Sequence, residues 1–191
     1  MTNWDQPHRW TAIGKVKPAL RLRLGELIRI CSEDGIDIMV YCGLRSIKEQ
    51  AVIFRQSRTK AEIDAKKQSL TDRGFPMLAS AIDAVGPQTG IIGRHTTKSA
   101  PGESWHQYGL AADCVPLVNG KPMWDEGQDS WEIYKEAASI VGLSWAGGWK
   151  HYKEIAHVQV PEIRNPLTHH KTPEAVNAAL AKDIRGELKC Y

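Results

Sequence analysis

The pattern of apolar and polar positions divides the chain into a short series of elements. Leu20, Leu24, Leu27, Ile28 and Cys31 recur with helical spacing behind Pro18, a residue suited to the first helical position, and Gly35 ends the run. Ile36 to Cys42 is dense in Ile, Val, Met and Tyr and predicts a buried strand. Ser46 followed by Glu49 is a capping-box pattern, and Ile47, Ala51 and Phe54 give the helix behind it an apolar stripe. A further helical stretch is expected over Thr71 to Val85, a glycine- and proline-rich loop over Gly86 to Ser104, and a strand over Leu110 to Val118. Asp129-Ser130-Trp131-Glu132 starts a helix whose Trp131, Tyr134, Ala138 and Val141 share one side, and Gly142 stops it. Ile155 to Val160 reads as a short final strand. Beyond Pro161, Asn165-Pro166 and His169-His170-Lys171 read as a linker, and Thr172-Pro173-Glu174 caps a last short helix.

Helices and strands are mixed without a regular βαβ alternation, which predicts an α+β fold with a small, mainly antiparallel sheet flanked by helices. At 191 residues the chain suits one domain, expected over 1–160, with 161–191 as a tail too small to fold independently. An apolar fraction of 42% supports a core, and no apolar run approaches the roughly 20 residues of a membrane span. The net charge of +3 is too weak to make nucleic acid the leading partner, and the basic excess of the first 60 residues reads as a solvated face. The N-terminus lacks the apolar core of a secretion signal, so the expectation is a protein that starts in the cytoplasm. Cys31, Cys42, Cys114 and Cys190 form no CxxC pair. The first three read as small core residues and Cys190 as part of a loose tail.

Two of the seven histidines have telling neighbours; His8, His95, His151, His169 and His170 do not. His106 lies in Ser104-Trp105-His106-Gln107-Tyr108-Gly109-Leu110-Ala111-Ala112-Asp113, where Asp113 falls inside an apolar strand and is costly to bury without a partner. His157 lies in Glu154-Ile155-Ala156-His157-Val158-Gln159-Val160. Glu154 and His157 cannot share one face of a regular strand, so Glu154 belongs before the strand or at a bend. From the residues alone two readings stand. A strand histidine is commonly a satisfied core residue, and a strand aspartate commonly pairs with arginine or a backbone cap. Alternatively, His106, Asp113 and His157 supply the three protein ligands of a catalytic zinc, with Glu154 left as general base.

SWHQYGLAAD closely resembles the SxHxxGxAxD motif of the zinc D,D-carboxypeptidase and L-alanyl-D-glutamate endopeptidase family, VanY-like peptidoglycan peptidases that include many bacteriophage endolysins. The family's second half-site, WGGDW followed by an acid, two spacers and His, is similar to Trp145-Ala146-Gly147-Gly148-Trp149 with Glu154 and His157. A third element, an aromatic-x-Gly-x-Arg-Ser segment with a downstream Glu-Gln, matches Tyr41 to Ser46 and Glu49-Gln50. The elements follow in order over about residues 36–160. The resemblance implies a Hedgehog/DD-peptidase-like fold and one Zn2+ per chain, held by His106, Asp113 and His157. It further implies Glu154 as catalytic acid/base and Arg45 steadying the substrate carbonyl and its oxyanion. Ser104 and Gln50 are candidates for orienting ligands or substrate, or are plain loop and helix hydrogen bonders.

The implied substrate is bacterial peptidoglycan, bound by a monomer with neither nucleic acid nor membrane insertion. Trp105, Tyr108, Trp145 and Trp149 resemble the endopeptidase branch, so the L-alanyl-D-glutamate bond is expected to be cut, in a phage endolysin held in the host cytoplasm until a holin releases it. The alternatives are a D-alanyl-D-alanine carboxypeptidase of wall remodelling and, as a minor one, a non-catalytic zinc-stabilised wall-binding module, against which the presence of Glu154 stands. Two positions depart from the family pattern: Gly148 replaces its Asp, and Ala156 stands where proline is common. The stretch 60–98 is expected as an insertion, either a wall or lid of the cleft or a helical addition with no catalytic part.

Overall fold

Proline has no backbone N–H to lose in the first turn of a helix, and helix α1 (Pro18–Glu33) starts on Pro18. It buries Leu20, Leu24, Leu27 and Cys31 along one stripe. Each fully buried leucine contributes roughly 2 kcal/mol before ordering costs. Gly35, at φ +78°, lets the chain reverse so that Ile36 N donates to Cys31 O at 2.8 Å. Strand β1 (Asp37–Cys42) follows. Capping boxes at Ser46/Glu49 and Thr59/Glu62 then start α2 (Ile47–Arg55) and α3 (Lys60–Asp72), and α4 (Pro76–Ala84) opens on a proline. Strand β2 (Ala111–Val118) comes next, then β3 (Lys121–Pro122), α5 (Asp129–Ile140), β4 (Ser144–Trp145), β5 (His157–Gln159), α6 (Pro166–His170) and α7 (Pro173–Ala179). Single 3-10 turns cover Trp105–Tyr108 and Ala146–Gly148. The computed structural model describes residues 13, 15–86, 96–151, 153–161 and 165–180; His8, His95 and Cys190 lie outside them. It is an α+β fold, as the element order predicts.

The described residues fall into two units, one within Met1–Leu44 and Gly109–Ile163, the other within Arg45–Tyr108 and Arg164–Tyr191. The first is a five-stranded antiparallel sheet in the order β1-β2-β5-β4, with β3 also paired to β2, packed against α1 and α5. Its core joins the α1 stripe to Ile38, Val40, Ala112, Cys114, Val158, Trp131, Tyr134 and Ala138. Cys114 points into this layer, where its thiol meets the Tyr134 hydroxyl. Successive strand residues point to opposite faces, so Asp113 faces away from the helices.

The second unit is helical. Helices α2 and α3 each pack on α4, and α6 packs on α7. Its buried anchor is Glu103, which pairs with Lys66 of α3 at 2.7 Å and Arg73 at 3.1 Å and accepts from Ala100 N at 3.0 Å. Two expectations need correction. Thr71 to Val85 is not one helix: Thr71 and Asp72 close α3, Gly74 takes φ +84°, and Pro76 opens α4. The segment read as a linker at Asn165–His170 holds α6, because the Asn165 side chain accepts from Leu167 N at 2.9 Å and caps it.

Candidate metal centre and active site

Directly opposed residues of an antiparallel pair carry their side chains on the same face. Asp113 on β2 stands opposite His157 on β5 and opposite Cys42 on β1, so the three form a row across the sheet on the face away from α1 and α5. His157 Nδ1 lies 3.1 Å from Asp113 Oδ1, and His157 Nε2 lies 3.0 Å from Oε1 of Gln159, two residues along the same face. Oxygen partners at both nitrogens fix the plane of the imidazole. Trp149 adds its ring, 5.7 Å from that of His157.

Glu154 precedes β5, as its spacing from His157 requires. The chain turns at Ile155–Ala156, closed by His157 N donating to Glu154 O at 3.1 Å. Two further carbonyls of the turn are fastened to the body of the unit. Ile155 O accepts from the Trp145 indole at 2.6 Å, and Ala156 O accepts from the Tyr134 hydroxyl at 3.0 Å and from Cys114 N at 2.9 Å. The turn brings Glu154 to the row: one oxygen of Asp113, one of Glu154 and a ring nitrogen of His157 all lie within 4.8 Å of one another. The Cys42 sulfur is within the same distance of an Asp113 oxygen.

The electrostatics of this cluster reach Tyr41. The pairing register slips between Val40 and Cys42, and Tyr41 is the extra residue of that bulge. Desolvation, then the negative charges of Asp113 and Glu154, raise its phenol well above the ordinary tyrosine range and keep it protonated. Burial likewise raises the Cys114 thiol. Two buried or half-buried carboxylates this close repel each other, and a divalent cation among them removes the penalty. Oxygen and imidazole nitrogen donors also suit zinc. The residues present in the first unit therefore fit a metal.

The second unit carries the remaining sequence candidates. His106 is buried in the 3-10 turn Trp105–Tyr108. Gln107 N closes that turn onto Ser104 O at 3.1 Å, and the Gln107 side chain accepts from Gly102 N at 2.8 Å. Gly102, at φ +81°, has no room for a side chain, since a Cβ would meet Leu78 at 2.4 Å. Arg45 immediately precedes the N-cap Ser46, and its N donates to His106 O at 3.3 Å. The Arg45 guanidinium donates to Gln50 Oε1 at 3.1 Å, while Gln50 Nε2 donates to Ser99 O at 2.7 Å. Gln50 is thus fully buried and engaged in holding Arg45. Ser104 contributes its carbonyl to the His106 turn.

Sequence reasoning missed Gln159 and Glu103, and it named Tyr134 and Trp145 without their roles as braces of the turn. Gln159 carried a signal in its two-residue offset from His157, and Trp145 in its place in the second half-site. The others act on backbone carbonyls or on cations far along the chain.

A cluster of carboxylates and imidazole on a small antiparallel sheet is the equipment of a metal-type hydrolase. The family model described as VanY, D-alanyl-D-alanine carboxypeptidase, matches residues 14–150. The peptidoglycan L-alanyl-D-glutamate endopeptidase CwlK of Bacillus subtilis (strain 168) is 26% identical over 151 residues, covering 75% of this chain and 72% of CwlK. The solved structure of Serratia marcescens L-Ala D-Glu endopeptidase ChiX is 19% identical, with a TM-score of 0.44, over 81% of this chain and 87% of ChiX. The vancomycin-resistance D,D-pentapeptidase VanY of a VanB-type cassette, solved with Zn(II), is 18% identical, with a TM-score of 0.45, over 91% of this chain and 83% of that one. The chain belongs to the D-alanyl-D-alanine carboxypeptidase (VanY) family. It is a peptidoglycan peptidase.

Proposed function

We propose that this protein is a zinc-dependent endopeptidase that hydrolyses the L-alanyl-D-glutamate bond of peptidoglycan stem peptides. The observation that carries the reading is the convergence of Asp113, Glu154 and His157 within 4.8 Å on one face of the sheet. Asp113 and His157 would hold the metal, and the resemblance to the SxHxxGxAxD pattern assigns a third ligand to His106. Zinc supplies Lewis acidity, which activates water and polarises the scissile carbonyl. Glu154, on its braced turn, takes a proton from the attacking water and delivers it to the amine as the C–N bond breaks. The Arg45 guanidinium, held by Gln50, stabilises the negative charge that develops on the carbonyl oxygen. Gln159 sets the His157 ring, and Trp145 and Tyr134 set the turn that carries Glu154.

The bond assignment draws on the tryptophans of the two half-sites and on the likeness to CwlK. The rival reading, release of terminal D-alanine, draws on the description of the family model. Mass spectrometry of digested muropeptides, with and without a chelator, separates them. New L-alanine C-termini and D-glutamate N-termini support the endopeptidase, free D-alanine supports the carboxypeptidase, and digestion unaffected by a chelator removes the metal. Glu154→Gln is expected to keep its zinc and lose about 10²–10⁴-fold in rate. In the cell we assign the enzyme to phage lysis, after the endolysins of the family it resembles, with release from the host cytoplasm through a holin. Expression with and without a holin tests this: lysis only in its presence supports the assignment.

A further inference from the structure

Among the described residues, the well-exposed aromatic side chains are Tyr41 at 42%, Trp124 at 51% and Trp149 at 36%. They are not scattered. Trp149 lies against His157, and the bulge at Tyr41 sits beside Cys42, the residue that pairs with Asp113. Trp124, in the segment between β3 and α5, meets Tyr41 edge to face, with ring centroids 5.6 Å apart and planes at 73°. Two aromatic rings that pack on each other and still expose this much surface form a ledge. Tyr41 borders Cys42, which pairs with Asp113, so a group that covers the ledge lies beside the proposed site.

We propose that the Tyr41–Trp124 ledge binds the N-acetylmuramoyl sugar of the glycan strand and so selects stem peptides still attached to it. The inference rests on the L-alanyl-D-glutamate reading. Aromatic faces carry a negative quadrupole. They attract the C–H faces of a pyranose and disfavour carboxylates, which occur on the D-glutamyl side of the cut. The N-terminal side offers only alanine, an uncharged lactoyl link and the sugar. Covalent reach differs between the two candidate bonds. An extended chain advances about 3.5 Å per residue. The sugar is then about 7 Å from the L-alanyl carbonyl, against about 17 Å from the carbonyl of a D-alanyl-D-alanine bond.

The test compares kcat/KM for a disaccharide-linked stem peptide and the same stem peptide without sugar, in the wild type, W124A and W124Y. The wild type is expected to prefer the sugar-linked substrate by about tenfold, the scale of one good aromatic contact. W124A is expected to bring the ratio close to one, mainly through KM, and W124Y to restore most of it. A wild-type ratio of one, or equal losses on both substrates in W124A, overturns the proposal. Product masses from the wild type judge the bond assignment separately. Free D-alanine would sink that assignment whatever the ratio shows, and the ratio judges the ledge.

Discussion

Tyr134→Phe isolates a single hydroxyl in the support of the site. Tyr134 is fully buried on α5, and its ring stays in the core layer after the change, so apolar burial is conserved. What is lost is the 3.0 Å donation to Ala156 O, the carbonyl just before His157, and the contact with the Cys114 thiol. Ala156 O retains Cys114 N at 2.9 Å, so no buried acceptor is left empty. The cost is therefore that of one net hydrogen bond, about 1 kcal/mol, not the 1–3 kcal/mol of an unsatisfied group. Urea unfolding of the metal-free protein, followed by tryptophan fluorescence, should show a lower midpoint at unchanged slope, and the melting temperature should fall by about 2–4 °C. Because the Glu154–His157 turn then hangs on fewer donors, kcat should fall more than zinc affinity. A stability loss below about 0.3 kcal/mol would mean that the hydroxyl does not hold the turn. A loss above about 3 kcal/mol would mean that Cys114 N does not share the carbonyl.

A Cβ at Gly147 would lie 2.1 Å from the Trp145 ring, so Gly147→Ala must displace the indole that holds Ile155 O. Thermal unfolding should record a loss of about 1–3 kcal/mol. At Gly148 the nearest atom is 3.9 Å away, and Gly148→Ala should stay within about 0.5 kcal/mol of the wild type. Alkaline pH should unfold the protein. Burial pushes the Cys31 thiol up from 9.0 to about 12 and raises Cys114 and Tyr134 as well. The unfolded chain then loses these protons before the folded one, so stability is full below pH 9 and falls as pH rises from 9 toward 12. Denaturant midpoints across that range should decline, and Cys31→Ala should flatten the decline; an unchanged slope in that variant would remove Cys31 from the account.

The half-site was legible where burial is expensive. A charged residue inside the apolar run Ala111–Val118 demands a partner, and the three-residue offset of Glu154 from His157 forbids a shared strand face; the structure shows the pairing and the turn. The Ser46 capping box was equally plain. The same signature at Thr59 and Glu62 went unread because α3 buries little more than Ile63 and Leu70, too sparse a stripe to register as a helix. Strands β3 and β4 are two residues each, below any periodicity. The braces of the site were invisible for a different reason. Trp145, Tyr134 and Cys114 N all act on main-chain oxygens, which every residue possesses, and Glu103 reaches Lys66 and Arg73 across 37 and 30 positions.

Asp113 and His157, in contact on neighbouring strands, stand 44 residues apart in the chain. Everything between them, including a hairpin and a whole helix, must be synthesised before the two side chains can meet. A ribosome-bound fragment ending short of His157 therefore holds only one side of this pair. The pair therefore forms only when β5, the last strand of the sheet in chain order, joins β2.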